Sequence, residues 1–144
     1  MKKTVCLFLA FIAILLCACS NLKNDAKDYP LQGAWEITYS KYIYPDTIIE
    51  STKFANPTVK LLTKKHYAFG RQAGENKITG GGGEYSYDGN TFTSLPKYHS
   101  SSMALGSTLV WKSKLEGDLW TISIVYKNDS IQIDGTETWK RIIE

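Results

Sequence analysis

Leu31-Gln32-Gly33-Ala34-Trp35-Glu36-Ile37-Thr38-Tyr39 is the stretch that decides the fold. Under the two-residue period of a strand, Gly33, Trp35, Ile37 and Tyr39 share one face, while Ala34, Glu36, Thr38 and Ser40 share the other. One face is apolar and ringed; the other is small or polar. That is the pattern of a strand with a core on one side and water on the other, and it predicts the founding strand of a closed antiparallel barrel.

Downstream the chain keeps reading as strand. The first strand extends to Ile43, and the connection from Tyr44 to Pro57 is long for a hairpin. With Ile48, Ile49 and Phe54 it is expected either to lie over an opening as a lid or to continue the strand into a bend. Thr58 to Thr63 and His66 to Arg71 are predicted to form a hairpin around Lys64-Lys65, followed by a polar loop from Gln72 to Thr79. Gly80-Gly81-Gly82-Gly83 precedes Glu84-Tyr85-Ser86-Tyr87. A phosphate cradle needs a Lys-Ser/Thr pair and a helix after the glycines, and here a strand follows, so the glycines mark a place where backbones crowd. Asp88-Gly89-Asn90 turns the chain into Thr91 to Tyr98. His99 to Gly106, a serine-rich piece with Met103-Ala104-Leu105, is expected to make one helical turn at a barrel rim. Ser107 to Leu115, Leu119 to Tyr126 and Ile131 to Ile143 complete eight strands, the number at which an up-and-down barrel just holds one small ligand.

Upstream, Lys2 and Lys3 precede an unbroken apolar run from Val5 to Ala18. This is the length of a signal-peptide core and short for a membrane span of about 20 residues. The run ends Leu16-Cys17-Ala18-Cys19, which resembles the lipobox of bacterial lipoproteins. That resemblance implies cleavage before Cys19, acylation of Cys19 and anchoring in the cell envelope, with the outer membrane of a Gram-negative bacterium as the expected location and the domain outside the cytoplasm. The chain then divides into a signal peptide (1–18), a polar tether (19–30) and a barrel domain (31–144). Of the 17 basic residues, Lys2 and Lys3 leave with the leader, so about 15 face 14 acidic ones in the mature chain. Such a balance argues against a nucleic-acid partner. With Cys19 committed to lipid, no cysteine of the three remains for a disulfide or a metal.

Gly33-Ala34-Trp35, eight antiparallel strands and Thr138-Trp139-Lys140-Arg141 late in the last strand resemble the calycin group of lipocalins and fatty-acid-binding proteins. The segments Gly81 to Asn90, Leu115 to Asp118 and Glu137 to Arg141 resemble a family of bacterial lipocalin-like lipoproteins. The resemblance implies that Gly33 and Trp35 sit at the closed end of the barrel under Arg141, which alternation places on one face with Glu137 and Trp139. The resemblance carries the fold and not the ligand; the leading expectation is a lipid-anchored carrier or sensor that takes a small apolar or amphipathic molecule, a small hydrophobic ligand, into the barrel, with Tyr39, Tyr67, Phe69, Tyr85, Tyr98, Trp111 and Trp120 as the candidate wall residues. The competing expectation is that these rings fill the barrel, which would then serve as a protein-interaction or inhibitor module of the envelope through its rim. Only two histidines occur, His66 and His99, without the spacing of a metal motif. One of them beside Glu84 is the nearest approach to an acid–base pair. No catalytic set is recognised, and neither enzyme activity, a metal nor a cofactor is expected.

Overall fold

The structure is a computed structural model that describes residues 29–101, 105–127 and 132–143. The leader, Cys19 and the tether as far as residue 28 lie outside the described residues. The chain divides into two units, Met1–Leu31 and Gln32–Glu144. Of the first, the described part includes a turn at Pro30 and Leu31.

The second unit is all β. Its strands are β1 (Gly33–Ile43), β2 (Ile48–Ser51), β3 (Val59–Leu62), β4 (His66–Gly74), β5 (Lys77–Tyr87), β6 (Thr91–His99), β7 (Leu109–Glu116), β8 (Leu119–Lys127) and β9 (Gln132–Arg141). From β3 to β9 each strand pairs antiparallel with the next, β3 also pairs with β1, and β1 pairs with β9 along most of its length. This closes an eight-stranded barrel with β2 as an extra strand. Because β9 occupies one edge of β1, β2 and β3 must share the other. β3 takes Gly33 to Glu36 and β2 takes Ser40 to Ile43.

Three segments differ from their sequence reading. Ile48 to Ser51 is strand rather than lid, folded back on β1 by a turn closed from Tyr44 N to Thr47 O at 2.8 Å. Pro45 at the second turn position supplies the fixed φ that such a turn uses. The polar stretch from Gln72 to Thr79 is the end of β4, a two-residue turn and the start of β5. Of the expected helical turn, residues 102–104 lie outside the described residues, and Leu105-Gly106 form a turn.

The four glycines stand where β5 is squeezed between its neighbours. A Cβ on Gly80 would lie 2.6 Å from Phe69 O, one on Gly82 would lie 2.6 Å from Tyr67 O, and one on Gly83 would collide with Leu95 O. None of the four has a positive φ, so space rather than backbone conformation demands glycine here. The β5–β6 register slips at Gly82/Gly83, and the bulge bends the wall. The turn that follows is held by Asp88, whose carboxylate accepts from Asn90 N at 2.9 Å and Thr91 N at 2.7 Å. Those two N–H groups hold the Asp88 carboxyl below its ordinary pKa.

The core is a chain of rings. Trp35 meets Trp120 at 5.6 Å between centroids, Trp120 meets Phe92 edge-on at 5.1 Å, and Phe92 meets Tyr67 edge-on at 6.1 Å. Trp139 joins Trp120 at 6.4 Å. Trp35, Trp120, Trp139 and Phe92 are fully buried, and each such ring contributes a few kcal/mol, about 2 or more. At this end Arg141 lies with Cζ 4.1 Å from the Trp35 ring centroid. Its guanidinium donates to Gln32 O at 2.8 Å and meets Asp118 at 3.3 Å. Gly33 opens β1 beside it, 3.1 Å from Arg141 Nη1 to the position of a Cβ.

Candidate binding cup

Cross-strand partners lie on the same face of a sheet, so the register fixes which side chains enter the barrel. On β1 these are Trp35 and Ile37, then Ser40 and Tyr42, because Thr38 is an extra residue where the β1–β9 register slips between Ile37 and Tyr39. β3 contributes Lys60 and Leu62, and β4 contributes Tyr67 and Phe69. On β6 the inward set is Phe92, Ser94 and Pro96, then His99 beyond the bulge. β7 contributes Leu109, Trp111, Ser113 and Leu115, and β8 contributes Trp120, Ile122, Ile124 and Tyr126.

Burial of these inward residues falls in one direction. Along β4 it goes from buried Tyr67 to half-buried Phe69, along β6 from Phe92, Ser94 and Pro96 to half-buried His99, and along β8 from Trp120 and Ile122 to half-buried Ile124 and Tyr126. β1 shows the same change from Trp35, Ile37 and Ser40 to Tyr42. These four strands run the same way, so on them exposure of the inward residues rises away from Trp35; β5 and β9 do not follow, since inward Tyr85 and Tyr87 are half-buried near the Trp35 end and inward Ile133 is buried at the other. On β7 every inward residue is half-buried.

Between the two halves lies a polar cluster. Lys60 is buried, with its ammonium 3.6 Å from Glu137 Oε2 and 3.9 Å from the Trp139 ring centroid. Trp120 and Phe92 complete the box at 5.1 and 5.9 Å. Glu137 also accepts from Trp139 Nε1 at 3.0 Å and from the Tyr42 hydroxyl. The Tyr42 ring lies across Gly135, where a Cβ would stand 3.1 Å from it, and this lets the phenol reach the carboxylate. Burial pushes the Lys60 amine below its ordinary pKa, while Glu137 pulls the other way. Burial, and next the charge of Glu137, push the Tyr42 phenol well above its ordinary range. The charges within this cluster balance, and each side chain has a partner.

Trp111 differs. Its ring is half-buried, but Nε1 is sealed from solvent and no described residue accepts its hydrogen bond. A buried donor left unpaired costs about 1–3 kcal/mol. Trp120, the neighbouring indole, donates instead to Ser113 Oγ at 2.8 Å.

Among the candidate wall residues, Phe69 lies away from the Trp35 end and is half-buried; Tyr85, also half-buried, lies near the Trp35 end and donates to Thr63 O at 2.7 Å, and Trp111 is half-buried opposite Phe92. Tyr67 and Trp120 are buried in the ring chain that forms the floor. Tyr39 and Tyr98 point outward. Tyr39 donates to Glu50 at 2.9 Å, and Tyr98 is 58 % exposed. One cause moves both tyrosines: each follows a bulge, at Thr38 on β1 and at Lys97 on β6, and one extra residue inverts the alternation beyond it. The residues that sequence reading missed are Lys60 and Tyr42. Glu137 was already on the Trp139 and Arg141 face, and a carboxylate on an interior face calls for a cation inside the barrel.

His66 and Glu84 are cross-strand partners on the outer wall, both exposed, and Glu84 also faces Lys97 Nζ at 3.8 Å. His99 packs on Phe69 at 5.5 Å, with Nδ1 accepting from Ser101 N at 2.9 Å. Among the described residues no group of three His, Cys, Asp or Glu is placed to hold a metal ion. Arg71, Gln72, Glu75, Asn76, Lys77 and Ile78 line an open depression at the β4–β5 turn, which offers no enclosing wall.

No protein-family model and no curated protein matches the chain. Among solved structures, a redesigned β-barrel is similar at 11 % identity with a TM-score of 0.45, over 86 % of this chain and all of that one.

Proposed function

We propose that this protein is a carrier or sensor that takes a small apolar or amphipathic molecule into the open half of its barrel, held at the cell envelope by lipid on Cys19. The gradient of burial along β1, β4, β6 and β8 carries this reading. On these strands Phe69, His99, Ile124, Tyr126 and Tyr42 are left half-covered away from Trp35, as residues at the mouth of a cup would be. The anchor rests on the Leu16-Cys17-Ala18-Cys19 pattern alone.

Phenylnaphthylamine, an uncharged apolar fluorophore, tests the cup. It is expected to bind at one site with an affinity on the order of micromolar and to change Trp fluorescence. Leu109→Trp, inward and half-buried on β7, should abolish that binding at little cost in stability, since it fills open space. If the barrel is full instead, the probe finds no site and the same substitution costs about 1–3 kcal/mol by overpacking. That outcome favours an interaction module working through the rim, where Ile43, Ile48 and Ile49 are exposed.

A further inference from the structure

We propose that the outer wall at the Trp35 end of the barrel, centred on Leu61, Ile142 and Leu119, lies on the surface of the phospholipid bilayer that takes the acyl chains of Cys19, so that the far end points away from that membrane. The inference rests on the anchor reading and adds an orientation to it.

The register brings these side chains together. On the outer wall Leu61 of β3 is the cross-strand partner of Ala34 on β1, and on the other edge of β1 the Ala34 carbonyl accepts from Ile142 N at 2.9 Å. Leu61, Ala34 and Ile142 thus stand in one row. In the next row Val59, Glu36, Lys140 and Leu119 follow one another across β3, β1, β9 and β8. Leu61, Ile142 and Leu119 are all exposed. A single exposed leucine is ordinary, but three large apolar side chains from different parts of the chain that meet across two adjacent rows form a patch for a partner to cover.

Lysines border the patch. Lys64 and Lys65, both exposed, connect β3 to β4 at this end, and exposed Lys140 stands between Leu119 and Glu36. Glu36 is the carboxylate in these two rows, so the lysines are in excess. Apolar side chains rimmed by long-stemmed cations suit a bilayer interface, where the stems lie along lipid and the ammonium groups meet phosphates. The path of the chain puts this face next to the anchor. β1 begins at this end with Gly33, and the twelve residues from Ser20 to Leu31 extend at most about 45 Å. The 11 residues of β1 rise roughly 25 Å along the axis at the usual strand tilt. Bringing the far end to the bilayer would take up about half of the tether's reach in running back along the wall. Exposed Ile48, Ile43 and Val125 lie toward that far end, but their row runs Ile48, Ile43, Asp134, Val125 with a carboxylate inside it, and Lys41 is paired with Glu50 at 3.4 Å. A contact of this size orients a barrel already tethered and does not hold it to lipid alone.

Single cysteines introduced into the full acylated protein test the orientation, because on the anchor reading Cys6 and Cys17 leave with the leader and Cys19 carries lipid. Leu61→Cys and Ile142→Cys mark this face, and Val125→Cys marks the outer wall toward the far end. Each variant is spin-labelled and reconstituted on vesicles of phosphatidylethanolamine with phosphatidylglycerol as the minor component. Oxygen partitions into lipid and a nickel chelate stays in water, so the ratio of the relaxation each causes reports immersion of the label. That ratio is expected to be severalfold higher at Leu61→Cys and Ile142→Cys than at Val125→Cys, and two labelled sites keep the test intact should one variant not fold. Equal ratios at all three sites, on vesicles that carry the protein through a high-salt flotation, overturn the docking and leave the anchor standing, as does a higher ratio at Val125→Cys. Protein left behind when the vesicles float overturns the anchor and the orientation with it.

Discussion

Lys60 is a charge placed where three aromatic rings would otherwise close on one another. Its partner Glu137 has three contacts, Lys60, Tyr42 and Trp139, so removing the lysine leaves a buried carboxylate with two donors and no cation. Lys60→Met is expected to destabilise the fold by about 3 kcal/mol, and adding Glu137→Gln should recover most of that loss. Urea unfolding of the two single variants and the double variant measures the coupling; additive losses would mean that the pair does not interact. The pH dependence has a definite sign. Because burial lowers the Lys60 pKa in the folded state, the unfolded chain binds this proton more tightly. The cost of charging Lys60 is then relieved as pH rises through its folded pKa toward about 10.4, its unfolded value. Wild type should gain stability relative to Lys60→Met over that range. Tyr42, Tyr67 and Tyr85 act oppositely, since burial raises their pKa values. Their contribution is full below about pH 10 and is lost above it. At this scale the sequence was legible where a residue obeys its neighbours' pattern and opaque at Lys60, a cation that shares its face with Leu62 while Val59 and the exposed Leu61 point out.

Among the elements, β5 shows how a composition that looks weak for a strand is required by one. Gly83→Ala puts a methyl group into the Leu95 carbonyl, whereas a Cβ on Gly70 meets its nearest neighbour at 3.9 Å, an ordinary contact. Gly83→Ala is therefore expected to lower the unfolding midpoint severely or prevent folding, and Gly70→Ala to change stability by no more than about 0.5 kcal/mol. Thermal unfolding of the two purified variants decides it, and equal losses would refute close packing of β5 as the reason for the glycines. The strand pattern was readable from alternation and turn residues. The bulges were not, because a bulge is set by how two strands fit and leaves no reliable mark on either one alone. Thr38 and Lys97 look like ordinary strand residues, yet each turns the tyrosine beyond it to the outside. β2 was missed for a different reason: the length of the connection outweighed the turn signal of Pro45-Asp46 within it.

For the whole molecule, the barrel unit and the anchor are independent claims. Cys19→Ser is expected to release the protein from membranes into the soluble fraction without changing its fold, since one thiol is all that acylation has to use. Fractionation after a high-salt wash reads the first part and circular dichroism the second; a serine variant that still pellets with membranes would remove the lipoprotein reading. The fold class was legible in the chain because a closed sheet needs only regular alternation and turns. How the interior rings pack was not, because that depends on how side chains from six or more strands meet at one level, and no single segment carries that information.

The sharing of one β1 edge by β2 and β3 gives the cylinder a redundant seam. The circuit of hydrogen bonds that closes it runs from β1 to β3, around to β9 and back to β1, and does not pass through β2. Parting the four rungs from Ser40–Ser51 to Ile43–Ile48 would therefore leave that hoop intact.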